Sequence, residues 1–390
     1  MFWRHRAIGP AASTVATVSD LTIVNSSDHV LTVALDRRPF DLHALWLRDA
    51  CSCAQCRNPS SNERLVDIST IAPDLAVQGA DIRDGRLLVG LSDGHLASIG
   101  RSWLIHHLAE LDRSEEPATG RRLWDARTFG SMQWFDRVAL GRDEPLHRWL
   151  QTLFEVGIVG AQIEGRGESA VRDVAEMVGP IIPTNYGLIW TVDANVEPVT
   201  AVDSERSLQV HTDLPYRESA PGVQLMMVEG DSIAGGASTF VDGFGVAEHV
   251  RATDPSAWRL LTSIDFAYPF VRDDIEMHGR SPLIRLHSNG AYAQVRRAPD
   301  LVGVPFVGAA DTPALYRAVR LWNELLDSQL FVIEHAVGYG EIIAWDNHRL
   351  LHGRTGFELG AHGRRVLYGC YVDMVDFDST RSVVARRLRP

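Results

Sequence analysis

The chain has 390 residues, 45% of them hydrophobic and 23% charged, with a formal net charge of −12. That length exceeds what one hydrophobic core usually organises, so two domains are expected, and the composition is that of a globular protein rather than a disordered or fibrous one. The acidic balance argues against nucleic-acid binding, which needs a basic footprint, and no apolar stretch is long enough to cross a membrane as a helix.

The N-terminus, Met1-Phe-Trp-Arg-His-Arg, runs into small polar residues rather than an apolar segment, so it does not read as a secretory signal. Residues from about 17 to 110 read as short strands and turns. Thr17–Val24 and Val30–Leu35 have strand length and pattern, and Asp84-Gly85 and Asp93-Gly94 are hairpin signals. A charged connector from Asp112 to Arg122 separates a small β domain, 1–115, from a larger one, 116–390. In the larger domain Leu146, Trp149, Leu150, Leu153 and Phe154 have helical spacing, so a helix is expected over Pro145–Glu155, followed by a strand over Val156–Ile163. A second helix over Ser169–Val178 is closed by Gly179-Pro180. Strands are then expected at Leu208–Val210, Val223–Val228, Ala237–Val241, Ile264–Phe270, Leu283–Leu286 and Tyr292–Val295. A helix over Pro313–Leu326 precedes strands at Phe331–Ile333, Glu341–Ala344 and Arg365–Val372. Many short strands with inserted helices predict a mainly β sandwich or jelly roll, not a parallel α/β sheet.

Of four cysteines, Cys51, Cys53 and Cys56 fall together. That spacing suits metal binding in a reducing compartment such as the cytoplasm, not a disulfide framework. Zinc takes four tetrahedral thiolate or imidazole ligands. Cys370 belongs to a distant strand, so His95, at the end of the second hairpin signal, is the candidate fourth ligand. A closed site of this kind is structural and contributes folding energy. The alternative is three buried free thiols in one turn.

His211-Thr-Asp213 follows a strand, where residues i and i+2 share a face, and Pro215 stops that strand. A third ligand must come from elsewhere. His352, in Asp346-Asn-His-Arg-Leu-Leu-His352-Gly-Arg just past another expected strand, is the candidate. Two histidines and one carboxylate leave open positions, as non-haem iron(II) oxygenases require. Arg365, thirteen residues on, has the fork that grips the far carboxylate of a dicarboxylic co-substrate.

Together these blocks resemble the γ-butyrobetaine hydroxylase family, within the taurine-dioxygenase-like 2-oxoglutarate oxygenases. The resemblance runs from about Asp41 to the C-terminus and includes the cysteine cluster, Pro221-Gly-Val-Gln-Leu, Val241-Asp-Gly-Phe and the His352 block. It implies a double-stranded β-helix (jelly roll), iron(II) at His211, Asp213 and His352, and structural zinc at Cys51, Cys53, Cys56 and His95. It implies 2-oxoglutarate at Arg365 and Ser238, and hydroxylation of a small molecule by O2 with release of succinate and CO2. It also suggests a homodimer. The family holds a trimethylammonium head in an aromatic cage by cation–π attraction. Tyr186, Trp190 and Tyr371 look like cage residues, whereas Asp203 stands where another aromatic is usual. Thr200 and Arg296-Arg297 replace amides expected to bind the substrate's carboxylate. The expected substrate is therefore a small zwitterion, its cation near Tyr186, Trp190, Asp203 and Tyr371 and its anion near Arg296 or Arg297.

Four other readings compete. Gly165-Arg-Gly167-Glu-Ser-Ala170, with Asp193 beyond, fits a dinucleotide fingerprint, but no second buried parallel strand follows Gly179-Pro180. The remaining three are a non-catalytic metal-dependent jelly-roll binding protein, a zinc hydrolase on this fold, and desaturation or cyclisation in place of hydroxylation.

Overall fold

The computed structural model describes residues 20–113, 120–193, 205–272, 274–305 and 307–388. The chain forms two compact units, Met1–Glu116 and Pro117–Pro390. In the first, β1 (Leu21–Ser26), β2 (Val30–Leu35) and β3 (Arg38–His43) make one antiparallel sheet, and helix α1 (Ala44–Asp49) follows. A second antiparallel sheet holds β4 (Val77–Arg83), β5 (Arg86–Leu91) and β6 (Leu96–Gly100), and helix α2 (Arg101–Arg113) follows. The β4–β5 hairpin turns on Asp84 and Gly85, both at positive φ, the two-residue geometry that matches strand twist. Alternate strand residues (Leu31 and Val33, Leu87 and Val89, Ala97 and Ile99) point into one core with Leu47 and Leu104.

The second unit begins with β7 (Trp134–Asp136), α3 (Asp143–Val156), β8 (Ile158–Gln162), α4 (Gly167–Val178), β9 (Trp190–Asp193) and β10 (Leu208–His211). It continues through β11 (Val223–Gly235), β12 (Ser238–Asp242), α5 (Gly243–Thr253), α6 (Pro255–Ser263), β13 (Phe266–Arg272) and β14 (Ile275–Ser281). The remainder is β15 (Ile284–Leu286), β16 (Tyr292–Val295), α7 (Thr312–Leu326), β17 (Ile333–His335), β18 (Glu341–Asp346), β19 (Leu350–Arg354), β20 (Phe357–Val372) and α8 (Met374–Arg387). Two sheets dominate, with orders β7-β8-β18-β11-β20-β9 and β10-β19-β12-β17. Every pair in them is antiparallel except β7–β8.

The period of two along each strand builds this jelly roll. On β11, Val223, Leu225 and Met227 pack outward with residues of α3, α4 and α8, while Met226 turns inward. Met226, Ile343, Trp345 and Leu367 of the large sheet meet Phe240 and Leu350 of the small one. Phe240 and Trp345 touch edge to face at 5.4 Å, which closes one end of the space between the sheets. The other face of the small sheet packs Val241 and Leu351 with residues of α5, α6 and α7.

The helices expected near 145–155, 169–178 and 313–326 form as α3, α4 and α7. Gly157 ends α3 at φ +87, and a Cβ there would lie 2.4 Å from Leu350 Cδ1, so only glycine fits. Helices α5, α6 and α8 were not anticipated. Their signals were nonetheless present: Asp242, Asp254 and Asp373 cap the three, and Pro255 opens α6. The strand expected from Arg365 starts eight residues earlier, at Phe357.

Candidate active site

In the first unit the Cys51, Cys53 and Cys56 thiols gather around His95, which the β5–β6 turn presents. His95 Nε2 lies 3.4, 3.8 and 3.4 Å from the three sulfurs. A tetrahedral zinc would set these separations near ~3.6 Å, given its usual bond lengths. Arg48 Nη1 donates to Cys56 Sγ at 3.0 Å and the Ser98 amide to Cys51 Sγ at 3.2 Å, bonds that suit thiolates. The donor set and geometry fit zinc with no open position. Exchanging Cys56 for serine is expected to strip about one zinc per chain and to destabilise the first unit by several kcal/mol, on the order of half or less of a zinc-finger site's energy. Metal content after gel filtration and thermal melting check this; full zinc retention would refute the site.

In the second unit, strand pairing brings together residues far apart in sequence. His211 ends β10 directly opposite His352 of β19. His352 is thus inside a strand, not in the loop beyond one. Leu208 pairs with Arg354 and His211 with His352, so three steps on β10 match two on β19. This bulge re-aims His211 toward the face His352 occupies. The rings sit 4.4 Å apart, and Asp213 Oδ1 lies 3.2 Å from His211 Nε2 and 3.8 Å from His352 Nε2.

Hydrogen bonds choose which atom of each side chain faces the shared point. His211 Nδ1 bonds the Gln209 carbonyl at 2.9 Å, leaving Nε2 as the free donor atom. Asp213 Oδ2 accepts from Gln224 Nε2 at 2.7 Å and from the Tyr371 hydroxyl at 2.6 Å, leaving Oδ1 free. Asn347 Oδ1 accepts from the Asp213 amide at 3.0 Å, and Asn347 Nδ2 donates to the Asp213 and Pro221 carbonyls. Burial, joined by the charge of His211, pushes His352 down to about 3, so its lone pair is available. Burial works against ionised Asp213, but the two histidines and Tyr371 outweigh it and hold the carboxyl well below its usual range. Burial works against a charged His211, but its bond to Asp213 outweighs it and raises the pKa, so iron would displace a proton there. Two imidazole nitrogens and one carboxylate oxygen on one side fit an octahedral iron with an open face.

This face opens into a cavity of about 510 Å³ between the sheets, a volume typical of small-molecule sites. Arg365 lines it, 2% exposed, and its Nη1 has no partner among the described residues. Burial, with the charge of Arg354, lowers the Arg365 pKa to about 10. An orphaned buried guanidinium nitrogen is costly unless an anion meets it, which fits one carboxylate of 2-oxoglutarate. Ser238 lies on the same wall, paired in register with Arg354.

Tyr186, Trp190 and Tyr371 also line the cavity, with Trp190 and Tyr371 at 6.3 Å. Asp203 lies outside the described residues. Arg296 and Arg297 do not line the cavity, which corrects the expectation placed on them. Arg296 is fully buried, bonding Gln294 Oε1 and the Pro215 and Glu218 carbonyls. Arg297 makes a two-pronged pair with Asp327 at 2.6 and 2.7 Å. Both are structural. The sequence reading missed Gln224, Asn347, Tyr216, Arg354 and Asp300. The first two stood inside recognised blocks, and Tyr216 lies three residues beyond Asp213, but nothing local marked Asp300.

Residues 126–371 match the family described as taurine catabolism dioxygenase TauD, TfdA family, and residues 23–101 match the γ-butyrobetaine hydroxylase-like N-terminal region. The γ-butyrobetaine dioxygenase of Pseudomonas sp. (strain AK-1) is 30% identical over 97% of each chain. The human γ-butyrobetaine dioxygenase is 26% identical over 89% of this chain and 90% of that one. Human mitochondrial trimethyllysine dioxygenase is 25% identical over 86% and 81%. With its triad, its orphaned arginine and this match across most of its length, the chain belongs to the TauD/TfdA family of iron(II)- and 2-oxoglutarate-dependent dioxygenases.

Proposed function

We propose that this dioxygenase hydroxylates a C–H bond of a small quaternary- or substituted-ammonium compound. One oxygen atom of O2 enters the product alcohol and the other enters succinate, formed from 2-oxoglutarate with loss of CO2. The observation that carries the substrate class is the aromatic wall facing the triad: Tyr186, Trp190 and Tyr371, joined by Tyr216. Such faces hold a desolvated cation through ring quadrupoles. The relatives named for γ-butyrobetaine and trimethyllysine point to the same head group.

His211, Asp213 and His352 would hold iron, and Arg365 with Ser238 the far carboxylate of 2-oxoglutarate. Iron supplies binding and activation of O2 and of the co-substrate. The protein supplies order. Gln224 and Tyr371 fix Asp213 to one free oxygen, Asn347 pins its backbone, and Phe240, Met226 and Leu367 keep the cavity wall apolar. Tyr371 serves twice, its hydroxyl spent on Asp213 and its ring turned toward Trp190.

Succinate formation by the full chain with iron(II) and O2, across quaternary ammonium compounds and their tertiary and carbon isosteres, tests the assignment. Quaternary compounds should stimulate turnover about tenfold or more over the carbon isosteres, in line with a desolvated cation–π contact. Equal stimulation by both would remove the cage reading. Among the described residues no helix is long and apolar enough to cross a membrane. A cytoplasmic homodimer completes the proposal, supported by four cysteines of which none forms a disulfide and by the family resemblance.

A further inference from the structure

We infer that the pocket selects a substrate whose far end carries a second positive charge, received by Asp300, rather than a carboxylate. The inference rests on the ammonium reading above and names the other end of that substrate.

Two independent placements carry it. First, the arginines positioned in sequence to receive an anion are withdrawn. Arg296 spends its guanidinium on Gln294 and two carbonyls, over the Tyr268 ring at 5.6 Å. Arg297 is neutralised by Asp327. The cationic residues that do line the cavity, Arg354 and Arg365, are at its other end, against Phe357 and beside Ser238. No described lining residue near the aromatic wall is positively charged.

Second, the same segment that removes the arginines delivers an acid. The Arg297 carbonyl accepts from the Thr212 amide at 2.9 Å, which docks the segment between the two ligands of the 211–213 stretch. The chain then turns, with the Ala298 carbonyl accepting from the Leu301 and Val302 amides at 3.1 and 2.9 Å. Ala298, Pro299, Asp300 and Leu301 thereby form cavity wall beside His211. Asp300 is exposed, makes no hydrogen bond or ion pair with any described residue, and lies near enough for its charge to reach His211. Apart from Asp213, which belongs to the triad, it is the acid among the described lining residues. A carboxylate on this wall with no described partner repels a substrate carboxylate and attracts an ammonium, so it discriminates by repulsion as well as attraction.

The test uses three compounds with one trimethylammonium head and one four-carbon spacing: a carboxylate end, a primary ammonium end and a plain butyl chain. Succinate formation by the full chain gives kcat/KM for each, and calorimetry gives binding. The wild type is expected to favour the ammonium end over the carboxylate end by about tenfold, the size of one well-placed charge pair. Asp300→Asn should bring the ratio close to one, and Asp300→Lys should reverse it. A wild-type preference for the carboxylate, or a ratio that neither variant moves, overturns the inference. Oxidation of the butyl compound with no gain from the ammonium end sinks the inference alone. If none of the three binds, the ammonium reading itself falls with it.

Discussion

Alanine at Asp213 is expected to abolish iron-dependent succinate formation, with metal affinity falling by more than the ~10–100-fold that loss of a ligand's hydrogen-bonding partner costs. The geometry states why. Asp213 contributes the one carboxylate oxygen within reach of both histidine Nε2 atoms, and no other acidic residue joins that cluster among the described residues. A graded series separates the ligand from its supports. Gln224→Ala and Tyr371→Phe each leave Asp213 Oδ2 with one donor instead of two. Each should weaken metal binding about tenfold while leaving a competent triad. Cobalt(II) titration, followed by its visible bands and by calorimetry, reads affinity without turnover. Wild-type cobalt affinity in Asp213→Ala would eliminate the site.

Methionine at Arg365 should raise the KM for 2-oxoglutarate by about thirtyfold or more, the cost of removing one partner of a buried charge pair. The same change should not lower thermal stability. A guanidinium whose pKa falls on folding is harder to charge inside the protein than outside, so its charge opposes folding at neutral pH. Here burial, joined by Arg354, sets that direction, and Nη1 has no partner among the described residues. An apolar side chain of similar length removes that penalty. Steady-state kinetics and a melting curve decide together. An unchanged KM, or a KM change accompanied by a large loss of melting temperature, would remove Arg365 from the co-substrate site.

The cysteine cluster and His95 were legible because local chain geometry does the work. Three thiols within one turn and a histidine on a tight hairpin need only the two short sheets to meet. His211 and Asp213 were legible as a pair for the same reason. Their alignment with His352 was not. Simple alternation along β10 gives no reason for His211 to share the face of His352; a bulge between Leu208 and His211 does that. Bulges depend on what the partner strand offers, and the partner here lies more than 130 residues away.

Arg296 and Arg297 show the opposite failure. Adjacent strand-like residues face opposite ways, so the two could not both reach one pocket. Which of them, if either, did so depended on the Pro215 and Glu218 carbonyls and on Asp327.

By itself, then, the sequence determined the zinc cluster and the mainly β class, for which residue type and short spacing suffice. The joining of His211 and Asp213 with His352 drew on their order along the chain, and the cage aromatics drew on the family resemblance. The tertiary structure decided the facing of His211 and His352, the anchoring of Asp213 by Gln224, Tyr371 and Asn347, and the withdrawal of Arg296 and Arg297 from the cavity that Asp300 lines. Those depend on register and burial, where a one-residue slip turns a side chain from cavity to core, and no local pattern encodes them.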